Sequence, residues 1–236
     1  MDKQELFLNH FLANDHARQV TATYYAAKLL TGINNNYTVI DLGCGRGETE
    51  EMLKNINPGI TWFGIDVKDS PEVRERYNKS NHLITYDGIN IPVNSNAVDI
   101  IYCRQVFEHV EYPHELIREI IRVLKPGGHI IGSVSQLEPY HSFSIFNFTI
   151  YGVCKLFNKD GLTLKEIRPG IDGLTLIVRR GFNRLKLFDH WFNKESPLNK
   201  IIDTISYLRK WKTNKTNLIK LMFCGHVIFW ATKNKS

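Results

Sequence analysis

The segment that most restricts what this chain can become is Tyr37-Thr38-Val39-Ile40-Asp41-Leu42 running into Gly43-Cys44-Gly45-Arg46-Gly47-Glu48. A run of buried-strand character ends in three alternating glycines, and a helical pattern from Glu48 follows, closed by Asn57-Pro58-Gly59. Glycines at such a turn take backbone conformations that other residues avoid, and they let a ligand approach the main chain. The helix start behind them turns its N–H groups toward that ligand. The spacing is GxGxG and so departs from the GxGxxG of dinucleotide sites. Asp41 stands two residues before the first glycine, where a carboxylate would repel a pyrophosphate and attract a cation. The expected ligand is a nucleoside that carries positive charge and no phosphates.

The rest of the chain alternates short apolar runs with helical patterns. Val20, Tyr24, Ala27 and Leu30 predict an amphipathic helix within 16–30, stopped at Thr31-Gly32. Strands are expected at 61–66, 82–86, 98–103 and 129–134. Ser70-Pro71 reads as an N-cap with proline in the first turn of a helix reaching about Lys79. Leu116, Ile117, Ile120, Ile121 and Leu124 share one face of a helix over 113–124 that stops at Lys125-Pro126-Gly127-Gly128. Two more strands at 162–167 and 227–232 enclose helical material at 198–211. This alternation predicts right-handed crossovers and an α/β fold, a doubly wound, mostly parallel sheet with an α-rich C-terminal insertion. A single domain is expected over 1–236: a helical segment at 1–34, a ligand-binding core at 35–135, and insertions with the last strands at 136–236.

Five stretches, Val39–Leu53, Phe63–Val67, Tyr86–Val93, Asp99–Val110 and Leu116–Val134, together resemble the class I methyltransferases that use S-adenosylmethionine. The likeness is to the broad small-molecule family, methyltransferase type 11-like, typified by the ubiquinone/menaquinone methyltransferases. It implies a Rossmann-like sheet of seven strands and S-adenosylmethionine as cofactor. It also implies that Asp41, Gly43, Cys44, Gly45 and Gly47 surround the methionine part of the cofactor, and that Asp66, with Val67 beside it, receives the ribose hydroxyls. Asp87 and Gly88 would serve the adenine, and Cys103 and Arg104 would lie where the fourth strand passes the methyl donor. The two acceptor oxygens of a carboxylate suit a vicinal diol. Asp87-Gly88 has a second reading as a plain turn.

A methyl group on a sulfonium needs an aligned nucleophile and a dry site more than it needs an acid. A hydroxyl acceptor gains from a general base, so His109, in Glu108-His109-Val110, and His141, after the fifth strand, are the candidate catalytic residues. Glu138 and Tyr140 are candidates for acceptor hydrogen bonds, and Arg168 and Asp172 are expected at the pocket border. The aromatic run Phe143–Tyr151 is read as packing against the sheet in preference to a lid, and His10, His190 and His226 as structural. Four cysteines with no CxxC and no Cys/His cluster at zinc spacing suit a reduced intracellular protein with neither disulfides nor a metal site.

The net charge of +6 divides unevenly, −4 up to Val178 and +10 from Arg179 onward. Such a basic region suits an anionic partner. No Asn/Asp-Pro-Pro-Tyr/Phe motif follows the fourth strand, where Cys103-Arg104-Gln105-Val106 stands instead, which argues against methylation of nucleic-acid amino groups. Intact cofactor motifs argue against a non-catalytic binding subunit. The expectation is therefore methyl transfer to a small-molecule or saccharide acceptor, anionic and methylated at oxygen, with polysaccharide biosynthesis as a setting. Methylation of a quinone-like ring at carbon is the alternative. The apolar tract Leu218–Trp230 is broken by Lys220 and Gly225-His226 and is too short to span a bilayer. With a mixed-charge N-terminus, this predicts a cytoplasmic protein for which only peripheral membrane contact is open.

Overall fold

The computed structural model describes residues 3–32, 36–76, 82–139 and 141–235. Seven strands form one sheet: β1 (Thr38–Leu42), β2 (Thr61–Val67), β3 (Leu83–Tyr86), β4 (Val98–Arg104), β5 (Leu124–Ser135), β6 (Leu162–Pro169) and β7 (His226–Lys233). Their order is β3-β2-β1-β4-β5-β7-β6. The first five pair in parallel, and β7 runs antiparallel between β5 and β6. The near-continuous apolar character of β1 and β4 has its reason here, because parallel strands are covered on both faces.

The helices are α1 (Lys3–Asn9), α2 (Ala22–Leu30), α3 (Thr49–Ile56), α4 (Pro71–Arg74), α5 (Pro113–Val123), α6 (Ile150–Phe157), α7 (Gly173–Gly181), α8 (Pro197–Arg209) and α9 (Thr213–Phe223). One face of the sheet packs Tyr25, Leu30 and Leu53 of α2 and α3 around Trp62 and Ile100. The other packs Leu116, Ile117 and Ile120 of α5 and Val153 and Phe157 of α6 around Ile101, Ile130 and Phe229. Phe157 stacks on Phe229 with ring centroids 3.9 Å apart.

Several expectations shift. The leading helix starts at Ala22, because Gln19 before it is drawn away to Ser196 and Asn199. Helix α4 ends at Arg74, short of Lys79, whose neighbourhood at 77–81 lies outside the described residues. Strand β5 begins at Leu124, five residues early. It runs through Pro126-Gly127-Gly128 because a register shift against β4 between Val98 and Ile100 absorbs the proline. The aromatic run divides: Phe143 is 80% exposed, while from Ile150 the chain winds into α6, capped by Thr149 Oγ1 accepting from Gly152 N at 3.0 Å.

Chain order reverses between β1 and β4, since β2 and β3 lie to one side and β5 to the other. In an open α/β sheet, the crevice outside the carboxyl ends of such a strand pair is where ligands bind.

Candidate active site

The glycine loop opens onto that crevice. Gly43, Gly45 and Gly47 have φ of +72°, +50° and +83°. Gly43 N and Cys44 N donate to Ile65 O at 2.7 and 3.2 Å, tying the loop to the end of β2. A Cβ on Gly43 would lie 2.3 Å from Val106 Cγ2, so glycine there lets the exit of β4 close over the end of β1.

Asp41 is 2% exposed and its Oδ2 has no partner. Burial pushes its pKa up to about 7, against the opposing pull of a hydrogen bond with Thr49 and the charge of Arg104. Asp66, at the end of β2, accepts from Gly45 N at 2.6 Å through Oδ2 and from Val67 N at 2.7 Å through Oδ1. Burial raises its pKa as well. Arg76 lies across the loop, donating from Nε to Gly45 O at 2.5 Å, with Nη2 3.1 Å from Cys44 Sγ and 3.8 Å from Asp66 Oδ2. Burial holds the Cys44 thiol protonated, pushed up to about 12. Cys103 is fully buried in the core, and Arg104 is exposed at the end of β4. Asp87 is exposed and holds its own turn. Its Oδ1 accepts from Ile89 N and Asn90 N at 2.9 and 2.7 Å, its Oδ2 accepts from Asn90 Nδ2, and Gly88 follows at φ +96°.

A second group of side chains gathers where β4 and β5 end. Gln105 takes a left-handed φ of +57°, pinned by its N–H to Ser133 O at 2.9 Å and by its Nε2 to Ser133 Oγ at 2.9 Å. The chain then makes a 3-10 turn over Phe107–His109. Glu108 is fully buried; its Oε1 accepts from Ser135 Oγ at 2.9 Å, and its Oε2 has no partner. His141 Nδ1 lies 3.0 Å from Glu138 Oε2, which also meets His226 Nε2 at 2.7 Å. His141 Nε2 is 3.8 Å from Glu108 Oε1, and the rings of His109 and His141 are 5.2 Å apart. Burial would raise the Glu138 pKa, but the hydrogen bonds from His141 and His226 outweigh it and hold the group well below the usual carboxylate range. Burial would lower the His141 pKa, and the bond to Glu138 with the charges of Glu138 and Glu108 reverses that.

His109 and His141, far apart in sequence, are thus neighbours. Tyr140 lies outside the described residues. His226, read as structural, joins the group because Ser135 and His226 are paired across β5 and β7. Glu108 carries no signal of its own beside His109 in the sequence, because its burial is a tertiary fact. Arg168 and Asp172 are consumed by the fold. The fully buried Arg168 guanidinium is held by Asp15 and Glu166 at 2.6 and 2.7 Å. Asp172 caps α7 by accepting from Thr175 N at 2.6 Å.

Residues 40–132 match the family model for the methyltransferase domain. A ubiquinone biosynthesis O-methyltransferase of Pseudomonas paraeruginosa is 30% identical over 108 residues, covering 43% of this chain and 46% of that protein. An uncharacterized protein of Methanocaldococcus jannaschii is 26% identical over 179 residues, 70% of this chain and 73% of that one. The chain spans about half the length of the ubiquinone biosynthesis O-methyltransferases it matches. Phosphoethanolamine N-methyltransferase 2 of Haemonchus contortus, solved with S-adenosyl-L-methionine, superposes with a TM-score of 0.56 at 16% identity over 90% of this chain and 52% of its own. That likeness is one of fold.

Proposed function

The chain carries a class I S-adenosylmethionine-dependent methyltransferase domain, and from that premise we propose that it methylates a small molecule at oxygen. When bound, S-adenosylmethionine supplies a methyl group on a positively charged sulfur. The residues fit such a cofactor. The buried, unpartnered Oδ2 of Asp41 answers a cation, and the positive-φ glycines expose main chain to it. Asp66 spends one lone pair of each oxygen on the backbone and keeps another on each for a diol. Asp87 likewise retains acceptor capacity for an adenine amino group.

The observation that carries the oxygen reading is the Glu108–His109–His141–Glu138 group, two residues beyond the Val106 that packs on Gly43. A hydroxyl set against these imidazoles gives up its proton there as the oxygen takes the methyl. Glu138 holds His141 through Nδ1 and so aims Nε2 toward Glu108. The charges of Arg104 and Arg184, which act on Asp41 and His141, support an anionic acceptor such as a phosphate-bearing saccharide or an acidic phenol. We take 1–34, 35–135 and 136–236 as parts of one cytoplasmic unit. Among the described residues, no helix is long and apolar enough to cross a membrane.

The test is incubation with methyl-labelled S-adenosylmethionine and a panel of sugar phosphates, hydroxylated aromatic acids and quinols. Label on an acceptor oxygen is expected, and His109→Ala combined with His141→Ala should slow it by about 10²-fold or more. Label on a ring carbon would contradict the proposal.

A further inference from the structure

We propose that His226 is a positioning residue for the acceptor side of the site: from the start of β7 it holds Glu138, and Glu138 in turn holds the ring of His141. Its bearing on methyl transfer rests on the reading of His141 as a group that takes the acceptor proton.

Three donors converge on one oxygen. Glu138 Oε2 meets His226 Nε2 at 2.7 Å, His141 Nδ1 at 3.0 Å and Ser135 Oγ at 3.1 Å. The serine cannot hold Glu138 alone. It has one hydroxyl proton, and that proton is also within reach of Gln105 Oε1 at 2.6 Å and Glu108 Oε1 at 2.9 Å. His226 is the firmer anchor because the sheet fixes it. It pairs with Ser135 across β5 and β7, and its carbonyl accepts from Gly170 N at 2.9 Å. A Cβ on Gly170 would lie 3.0 Å from His226 Cβ, and the ring of Phe192 stands 5.8 Å from the imidazole. Glu138 and His141, by contrast, belong to the irregular segment that follows β5.

The pairing settles the tautomers. An ionised carboxylate only accepts, so both imidazole nitrogens on Glu138 carry hydrogen. Neutral His141 is then the Nδ1–H form, and its Nε2 keeps the lone pair that receives a proton. The ionisable groups facing His141 are Glu138, Glu108, Arg184 and His109; those facing Glu138 are His141 and His226. A carboxylate shared by two imidazoles has two opposite consequences for His141. If His226 only draws on the charge of Glu138, losing His226 strengthens the bond to His141. If His226 places Glu138, losing it releases His141.

The test is a pH titration of the full chain by NMR with isotope-labelled histidine, His141 being identified by its missing signal in His141→Gln. The native chain should show neutral His141 as the Nδ1–H tautomer, with a midpoint above the ordinary 6.5. In His226→Leu the midpoint should fall toward that ordinary value and the Nε2–H tautomer should appear. In His226→Gln, whose amide N–H replaces Nε2–H, both native features should persist. His226→Asn keeps a polar side chain but falls short of Glu138, and it should behave as His226→Leu even where the leucine variant does not fold. A His141 midpoint unchanged or raised in His226→Leu or His226→Asn, with the tautomer retained, overturns the proposal. If His141 responds as expected while no compound of the acceptor panel is methylated at oxygen, the hold of His226 on His141 stands and the oxygen reading falls. Where oxygen is methylated, His226→Asn should lower kcat about tenfold and leave the KM for S-adenosylmethionine unchanged, and His226→Gln should restore the rate.

Discussion

Asp41 sets the terms at the scale of single residues. A carboxyl group at 2% exposure with one oxygen unsatisfied is imposed by the fold around it. Its pKa rises from 3.8 to about 7, chiefly through burial. The folded chain therefore holds a proton that the unfolded chain releases. Asp41 costs stability progressively as pH rises from about 4 to about 7, and the full cost persists above that. A cation against Asp41 lowers its pKa again, so binding below pH 7 expels a proton. The affinity for S-adenosylmethionine should accordingly rise from about pH 6 to about pH 8 in the native chain and stay nearly flat in Asp41→Asn, as read by calorimetry across that range. Asp41 and the glycines were legible because their pattern is local. Glu108, Ser135 and His226 were not, because they meet only through the pairing of Ser135 with His226 across β5 and β7. A pattern search along the chain carries no trace of that register.

At the scale of elements, the βα rhythm up to Ser135 came through in the sequence, since parallel strands read as unbroken apolar runs and α5 keeps a clean apolar face. The misses have physical causes. Helix α1 has seven residues, fewer than a periodicity needs to declare itself, and α6 begins inside an aromatic run that reads equally as strand or loop. Helix α7 exposes Leu174, Ile177 and Val178 and so shows no single apolar stripe. What defines its start is Asp172, which accepts from Thr175 N and Thr175 Oγ1 and also from Leu198 N at the head of α8. Asp172→Ala should cost about 1–2 kcal/mol in capping and lower the melting temperature by roughly 2–8 °C. A calorimetric melt unchanged from the native chain would show that the α7–α8 joint does not depend on this carboxylate.

At the scale of the whole molecule, the strand order and the reversal of β7 decide where the site lies, and neither is written in local pattern. Charge is distributed at the same scale. Within the excess of ten positive charges beyond Val178, Lys220 is buried between Glu195 and Asp203, Arg179 pairs with Asp189, and Lys200 and Lys215 lie over Trp191 and Trp211. Nucleic acid gripped mainly through phosphates needs many free cations and loses affinity steeply with salt. Gel shifts with RNA and DNA at about 0.15 M salt should show only weak, sequence-independent binding, and a tight sequence-dependent complex would contradict that. The central claim is that the crevice between β1 and β4 holds S-adenosylmethionine, with Asp66 on its ribose. Its most direct test is calorimetric titration of the native chain and of Asp66→Ala. One cofactor per chain with a micromolar-range dissociation constant, about −8 kcal/mol, is expected, with affinity falling at least tenfold when the carboxylate that holds Gly45 is removed. No heat of binding, or an unchanged dissociation constant in Asp66→Ala, would contradict it.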